Sequence, residues 1–284
     1  SVATNRFVIL PEVVSVLPLA GTVGTIVTVA GTGYAANDAL TVAFGTNAGI
    51  QTAAASQYGS FSTTFTVDTQ VYGTTTITVS GVSVATNMFV ILPEVVSVVP
   101  TSGTVGTIVT VAGTGYAAND ALTIAFGTNA GIQIATASQY GSWTTSFTVD
   151  TQVYGTTTIT VSGVSVATNV FVILPEVYSV VPTTGTVGTI VTINGTGYAA
   201  NDAVTVTFGT NAGIQTAAAS QYGSFTAVFT VDTQVYGTTT IAAIGVATAY
   251  NRYFILPEVV SVVPTSGTVG TIVTVAGTGY AAND

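Results

Sequence analysis

The chain has 284 residues, 48% of them hydrophobic and only 5% charged, with eleven acids, two arginines, no lysine, no histidine and no cysteine. A net charge of −9 leaves no cationic surface to neutralise phosphates, which excludes nucleic acid and anionic membrane surfaces as partners. Without cysteine there is no disulfide, thiolate nucleophile or zinc–sulfur centre.

The dominant feature is a repeat of 82 residues, marked by Ile-Leu-Pro-Glu-Val at Ile9–Val13, Ile91–Val95, Ile173–Val177 and Ile255–Val259. Cutting at its proline gives three complete units, Pro11–Leu92, Pro93–Leu174 and Pro175–Leu256. Residues 1–10 read as the last strand of a preceding repeat, and 257–284 as the first part of a following one. The first two units differ at ten of 82 positions, as in Val42/Ile124, Phe61/Trp143 and Met88/Val170. Equal modules supply length, spacing or many weak contacts, whereas an enzyme needs one asymmetric site. Ser1 opens in mid-repeat and Asp284 aligns with the turn residue Asp38, so the chain is expected to be a window cut from a longer array, or else a subunit whose loose strands pair with neighbours in a fibre.

Within Pro11–Leu92 the strands follow one another at short intervals. Val13–Val16 is a strand opened by Pro11, whose missing amide hydrogen suits a strand start. Pro18 and Gly21–Gly24 break the chain, and Thr25–Ala30 then alternates Thr and Val, the period of a half-buried strand. Gly31–Asp38 is turn chemistry, with Gly31 and Gly33 free to take positive φ and Asn37-Asp38 able to bond its own backbone. Leu40, Val42 and Phe44 share one face of the next strand, and Gly45–Gly49 turns into another near Ile50–Ala55. Phe61, Phe65 and Val67 mark a strand ending at Asp68, and Thr75–Ser80 and Val84–Leu92 complete the unit. About seven strands without helical periodicity predict an all-β fold: tandem immunoglobulin-like β-sandwiches. Val29, Leu40, Phe44, Phe65 and Val67 are the expected core. A mean hydropathy of +0.67 comes from short runs such as Met88–Leu92, far below the ~20 residues of a spanning helix. No membrane insertion is expected in this segment.

Val14-Ser15-Val16-Leu17-Pro18 with Gly21-Thr22-Val23-Gly24 through Gly31-Thr32-Gly33-Tyr34 resembles the opening of an IPT/TIG immunoglobulin-like domain. Val99-Pro100-Thr101-Ser102-Gly103-Thr104-Val105-Gly106 is similar again, and Thr41-Val42-Ala43-Phe44-Gly45 resembles that family's following strand. The resemblance implies a β-sandwich without disulfide, strung in tandem in microbial surface and secreted proteins, with no catalytic motif.

Site candidates are sparse. Each repeat carries acids at the positions of Glu12, Asp38 and Asp68. Calcium at a junction would gather Glu94 with Asp68 or Asp120, but no dense acidic run occurs, and the acids are expected to cap turns or keep an edge soluble. With hydroxyls but no His or Lys to act as base, no enzymatic activity and no cofactor are expected. Tyr34, Tyr58 and Tyr72 would form a carbohydrate-binding stripe if exposed, although closing the core edge is the expected role. Asn194-Gly195-Thr196 is the sole sequon, replacing Ala30, Ala112 and Ala276 of the other copies, and makes Asn194 the glycosylation candidate. The outward face carries Ile26, Ala30, Ala39, Ala43 and abundant Thr, and one outward position runs Arg6, Met88, Val170, Arg252. Such a face is either buried against other modules or hidden by O-linked sugar.

These features are expected of a non-enzymatic extracellular, cell-surface protein whose modules build a fibre, filament or stalk, its main partner being further copies of itself. An adhesin holding glycan or protein ligands, with a surface glycan as partner, and accessory repeats of a larger secreted enzyme remain open beside it.

Overall fold

The computed structural model describes residue 5 and residues 7–282, and all regular structure among them is β-strand. The first repeat contains β1 (Glu12–Leu17), β2 (Ala20–Gly21), β3 (Ile26–Thr32), β4 (Ala39–Phe44), β5 (Asn47–Ala54), β6 (Phe61–Thr66), β7 (Gly73–Ser80) and β8 (Val84–Ile91). They form two sheets, β1-β3-β6 and β2-β8-β7-β4-β5, and the corresponding strands of the next two repeats keep the same orders. The result is a tandem series of immunoglobulin-like sandwiches. A final antiparallel pair joins Glu258–Val263 to Thr274–Thr278. Asn5 and Phe7 to Leu10, the described part of the strand expected at 1–10, lie outside regular strands, and Arg6 and Asp284 fall outside the described residues.

The chain divides into two compact units: Ser1–Val99, Thr110–Phe147 and Thr158–Asn169 in one, and Pro100–Val109, Thr148–Thr157 and Val170–Asp284 in the other. The first unit holds the whole first sandwich. Its core takes Val13, Val16, Val27, Val29 and Phe65 from one sheet and Leu40, Val42, Phe44, Ile77, Val79, Phe89 and Ile91 from the other. Phe44 is its centre, with ring centroids 5.1 Å from Phe65 and 5.7 Å from Phe89. Such tilted and edge-on pairs add about 0.5–1.5 kcal/mol each to what burial gives. The second unit holds the third sandwich, where Ile193, Val204, Phe208, Phe229 and Val231 are buried in the same way. The expected core residues are thus all inside.

Two devices were not expected. Ala20-Gly21 pairs in parallel with Val90-Ile91, so the segment after Pro18 changes sheets. A bulge in β1 leaves Val14 unpaired between Val13↔Gly31 and Ser15↔Ala30. It turns both Val13 and Val16 inward and Val14 outward, since one extra residue reverses the faces of a strand. Asn87 donates from Nδ2 to the bulge carbonyl of Val13 at 2.9 Å, and Asn169 and Asn251 repeat this bond to Val95 and Val177. It ties β8 of one sheet to β1 of the other.

Gly33 takes positive φ (+82°) as expected, but Gly31 does not. Gly31 lies inside β3, where a Cβ would stand 2.5 Å from both the Glu12 carbonyl oxygen and the Phe61 ring. Its requirement is close approach rather than turn geometry.

The buried tyrosines set the pH response. Burial pushes the phenols of Tyr116 and Tyr198 well above their ordinary range. The carboxylate of Asp120 adds to the rise for Tyr116; for Tyr198 the backbone of Ala249 partly opposes it, and Asp202 adds to it. Burial also raises Tyr34 and Tyr253. In the unfolded chain these phenols ionise near ~10. The folded state therefore holds its protons longer, and its stability is complete below pH ~10 and lost above it. Denaturant midpoints are expected to be flat from pH ~6 to ~9 and to fall beyond ~10; a flat profile at higher pH would contradict this. Tyr198 donates to the carbonyl of Ala243 at 3.1 Å, while the Tyr116 hydroxyl has no partner among the described residues. Tyr198→Phe should therefore cost about 1 kcal/mol, and Tyr116→Phe nothing.

Candidate functional site

The features that recur and involve two repeats at once are the junctions. The strand Val84–Ile91 ends one residue before Leu92-Pro93, and the next strand starts at Glu94, so no flexible linker intervenes. Leu92 is held by its amide on the Gly21 carbonyl at 2.9 Å. Across the junction the Tyr72 amide donates to the Tyr116 carbonyl at 3.0 Å, as Tyr154 does to Tyr198 and Tyr236 to Tyr280. Gly115 closes the other side: its φ is +74°, and a Cβ there would lie 2.4 Å from the Leu92 carbonyl oxygen. Gly197 meets Leu174 and Gly279 meets Leu256 in the same way. Thr114, Thr196 and Thr278, one residue earlier, each have a buried hydroxyl without a partner among the described residues.

At the second junction a cleft of about 470 Å³ is lined by Val105 and Thr151 of one repeat and by Glu176, Tyr178, Thr196 and Ser224 of the next. Tyr178 is the feature that the sequence reading missed. Strict alternation from the buried Val180 places residue 178 inside. The bulge between Val177 and Ser179 turns it outward, and the side chain is 60% exposed.

Of the acids, it is the aspartates that hold turns. Asp38, Asp120 and Asp202 accept at 2.8 Å from the amides of Val82, Val164 and Val246, each 44 residues away, rather than from their own turn. Asp68 accepts from Gln70 at 3.0 Å and also from Asn47. Among the described residues no three acids converge. Tyr34, Tyr116 and Tyr198 are buried, with Tyr34 edge-on to Phe61 at 5.3 Å, whereas Tyr280 is exposed. Tyr58 and Tyr72 are exposed, so the three do not act together. Asn194 sits half-buried in mid-strand, and its Oδ1 accepts from the Thr226 hydroxyl at 2.7 Å. Ile26, Ala39 and Met88 are exposed, and Ala30 and Ala43 half-buried, on the outward face.

Residues 175–243 match the model of the IPT/TIG domain. The third repeat is an IPT/TIG domain. The first and second repeats differ from it at 20 and 21 of 82 positions. No curated protein matches the chain. Among solved structures, one crystallised with xylogluco-oligosaccharide is similar over 86% of this chain and 60% of its own, at 15% identity and a TM-score of 0.29. Invasin, a bacterial integrin-binding protein, is similar over 89% of this chain and 62% of its own, at 16% identity and a TM-score of 0.27. The D1–D4 ectodomain fragment of ICAM-5 is similar over 94% of this chain and 83% of its own, at 13% identity and a TM-score of 0.24. The chain thus spans less than two thirds of the first of these structures and of invasin. Among the described residues no helix is long and apolar enough to cross a membrane.

Proposed function

We propose that the chain is a non-enzymatic structural array of the cell surface, in which directly joined IPT/TIG modules build a fibre, filament or stalk. The observation that carries this reading is the junction. Each one sets a tyrosine amide on a tyrosine carbonyl and a glycine against a leucine carbonyl, with only Leu-Pro between the strands. Joints of this kind serve spacing and load better than a Gly/Ser tether would. The outward face supports further copies of the chain as partner: Ile26, Met88, Ile108, Ile134, Val170 and Ile190 are all exposed. Catalysis has no counterpart in this composition, because no histidine or lysine is available to activate a hydroxyl.

Electron microscopy of the purified protein tests the proposal. Fibres or laterally packed assemblies are expected, with a spacing set by the repeat. Isolated monomers at every concentration examined would remove the filament reading.

A further inference from the structure

We propose that the cleft at the second junction binds a neutral oligosaccharide. Its floor and its wall come from different observations. The exposed Tyr178 is present in this repeat alone, since Val14, Val96 and Val260 hold the same position elsewhere. The bulge that aims it outward is common to the repeats, so the one aromatic substitution converts an existing outward position into a flat apolar platform. Thr196 lines the same cleft.

The remaining lining fixes the ligand class. Glu176 supplies carboxylate acceptors, and Thr151 and Ser224 supply hydroxyls that donate or accept. A sugar ring presents an apolar C–H face to an aromatic ring and hydroxyls around its rim, which is the complement of this set. A volume of about 470 Å³ falls within the range of small-ligand pockets. Among the described residues no cation lines the cleft, and the chain carries a net charge of −9, so uronic, sulfated or phosphorylated sugars are disfavoured. A wholly apolar peptide segment would leave the Glu176 carboxylate without a partner.

Isothermal titration calorimetry of the full chain with cellotetraose, xylotetraose, mannotetraose and a tetragalacturonate tests the site. At least one neutral tetrasaccharide is expected to bind with a stoichiometry of one per chain, and the acidic one to bind more weakly. Tyr178→Val installs the residue of the other repeats and so keeps the fold. It should weaken binding at least about tenfold. Glu176→Gln keeps the shape and removes the carboxylate charge, and should weaken binding about three- to tenfold. The proposal fails if no neutral tetrasaccharide binds at about 10 mM, far weaker than specific sites require. It fails equally if Tyr178→Val binds like the parent chain, or if the acidic sugar binds as tightly as the neutral ones. None of these outcomes bears on filament formation, which microscopy reads separately.

Discussion

Replacing Phe126 by Ala is expected to remove about 3–5 kcal/mol from the stability of the second repeat. Phe126 is fully buried, and its ring centroid lies 5.2 Å from that of Phe147. Truncation removes both the transfer term and the packing of the neighbours, which collapse only partly into the space. A unit of 82 residues holds only roughly 4–12 kcal/mol in all, so the variant repeat should sit near its unfolding midpoint. Trp143 is the only tryptophan, buried in this repeat and edge-on to Tyr116 at 5.8 Å, and its fluorescence reports that repeat alone. Denaturant titration followed at Trp143 should show the midpoint falling steeply. A loss below about 1 kcal/mol would mean that this ring is not central to the core. Tyr140→Ala, at an exposed turn, serves as the control and should stay within about 0.5 kcal/mol.

The second large effect is expected at the joint. Gly115→Ala must hold a side chain at φ +74°, which costs about 1–3 kcal/mol by itself. The added Cβ also meets the Leu92 carbonyl oxygen at 2.4 Å, backbone that belongs to the preceding repeat. Relief requires the two repeats to part, with loss of the bond from the Tyr72 amide to the Tyr116 carbonyl. Gly106→Ala separates the two causes, because its φ is +90° but nothing lies within 4 Å of the new Cβ. Calorimetry should show a modest fall in Tm for Gly106→Ala. For Gly115→Ala the fall should be larger, and the transition broadened as neighbouring repeats melt independently. Equal melting temperatures, within about 2 °C, would show that the junction contact contributes nothing.

The period of 82 residues, the strands and the core were legible from the sequence. Alternation is a local property of extended chain, and it placed Val29, Leu40, Phe44, Phe65 and Val67 on the buried side without any knowledge of partners. The lack of His, Lys and Cys bounded the available chemistry in the same direct way. Three further features depended on residues far apart in the chain. Asp38 reaches the amide of Val82 instead of its own turn. Gly31 is required by a carbonyl and a phenyl ring on two neighbouring strands. The exposure of Tyr178 rests on a bulge between Val177 and Ser179. A bulge is fixed by pairing with a partner strand and, here, by the Asn251 side chain that satisfies the Val177 carbonyl from the opposite sheet. One inserted residue reverses which side chains face the core, so the period of the sequence could identify the strand but only the assembled sandwich could decide which of its residues reach the surface.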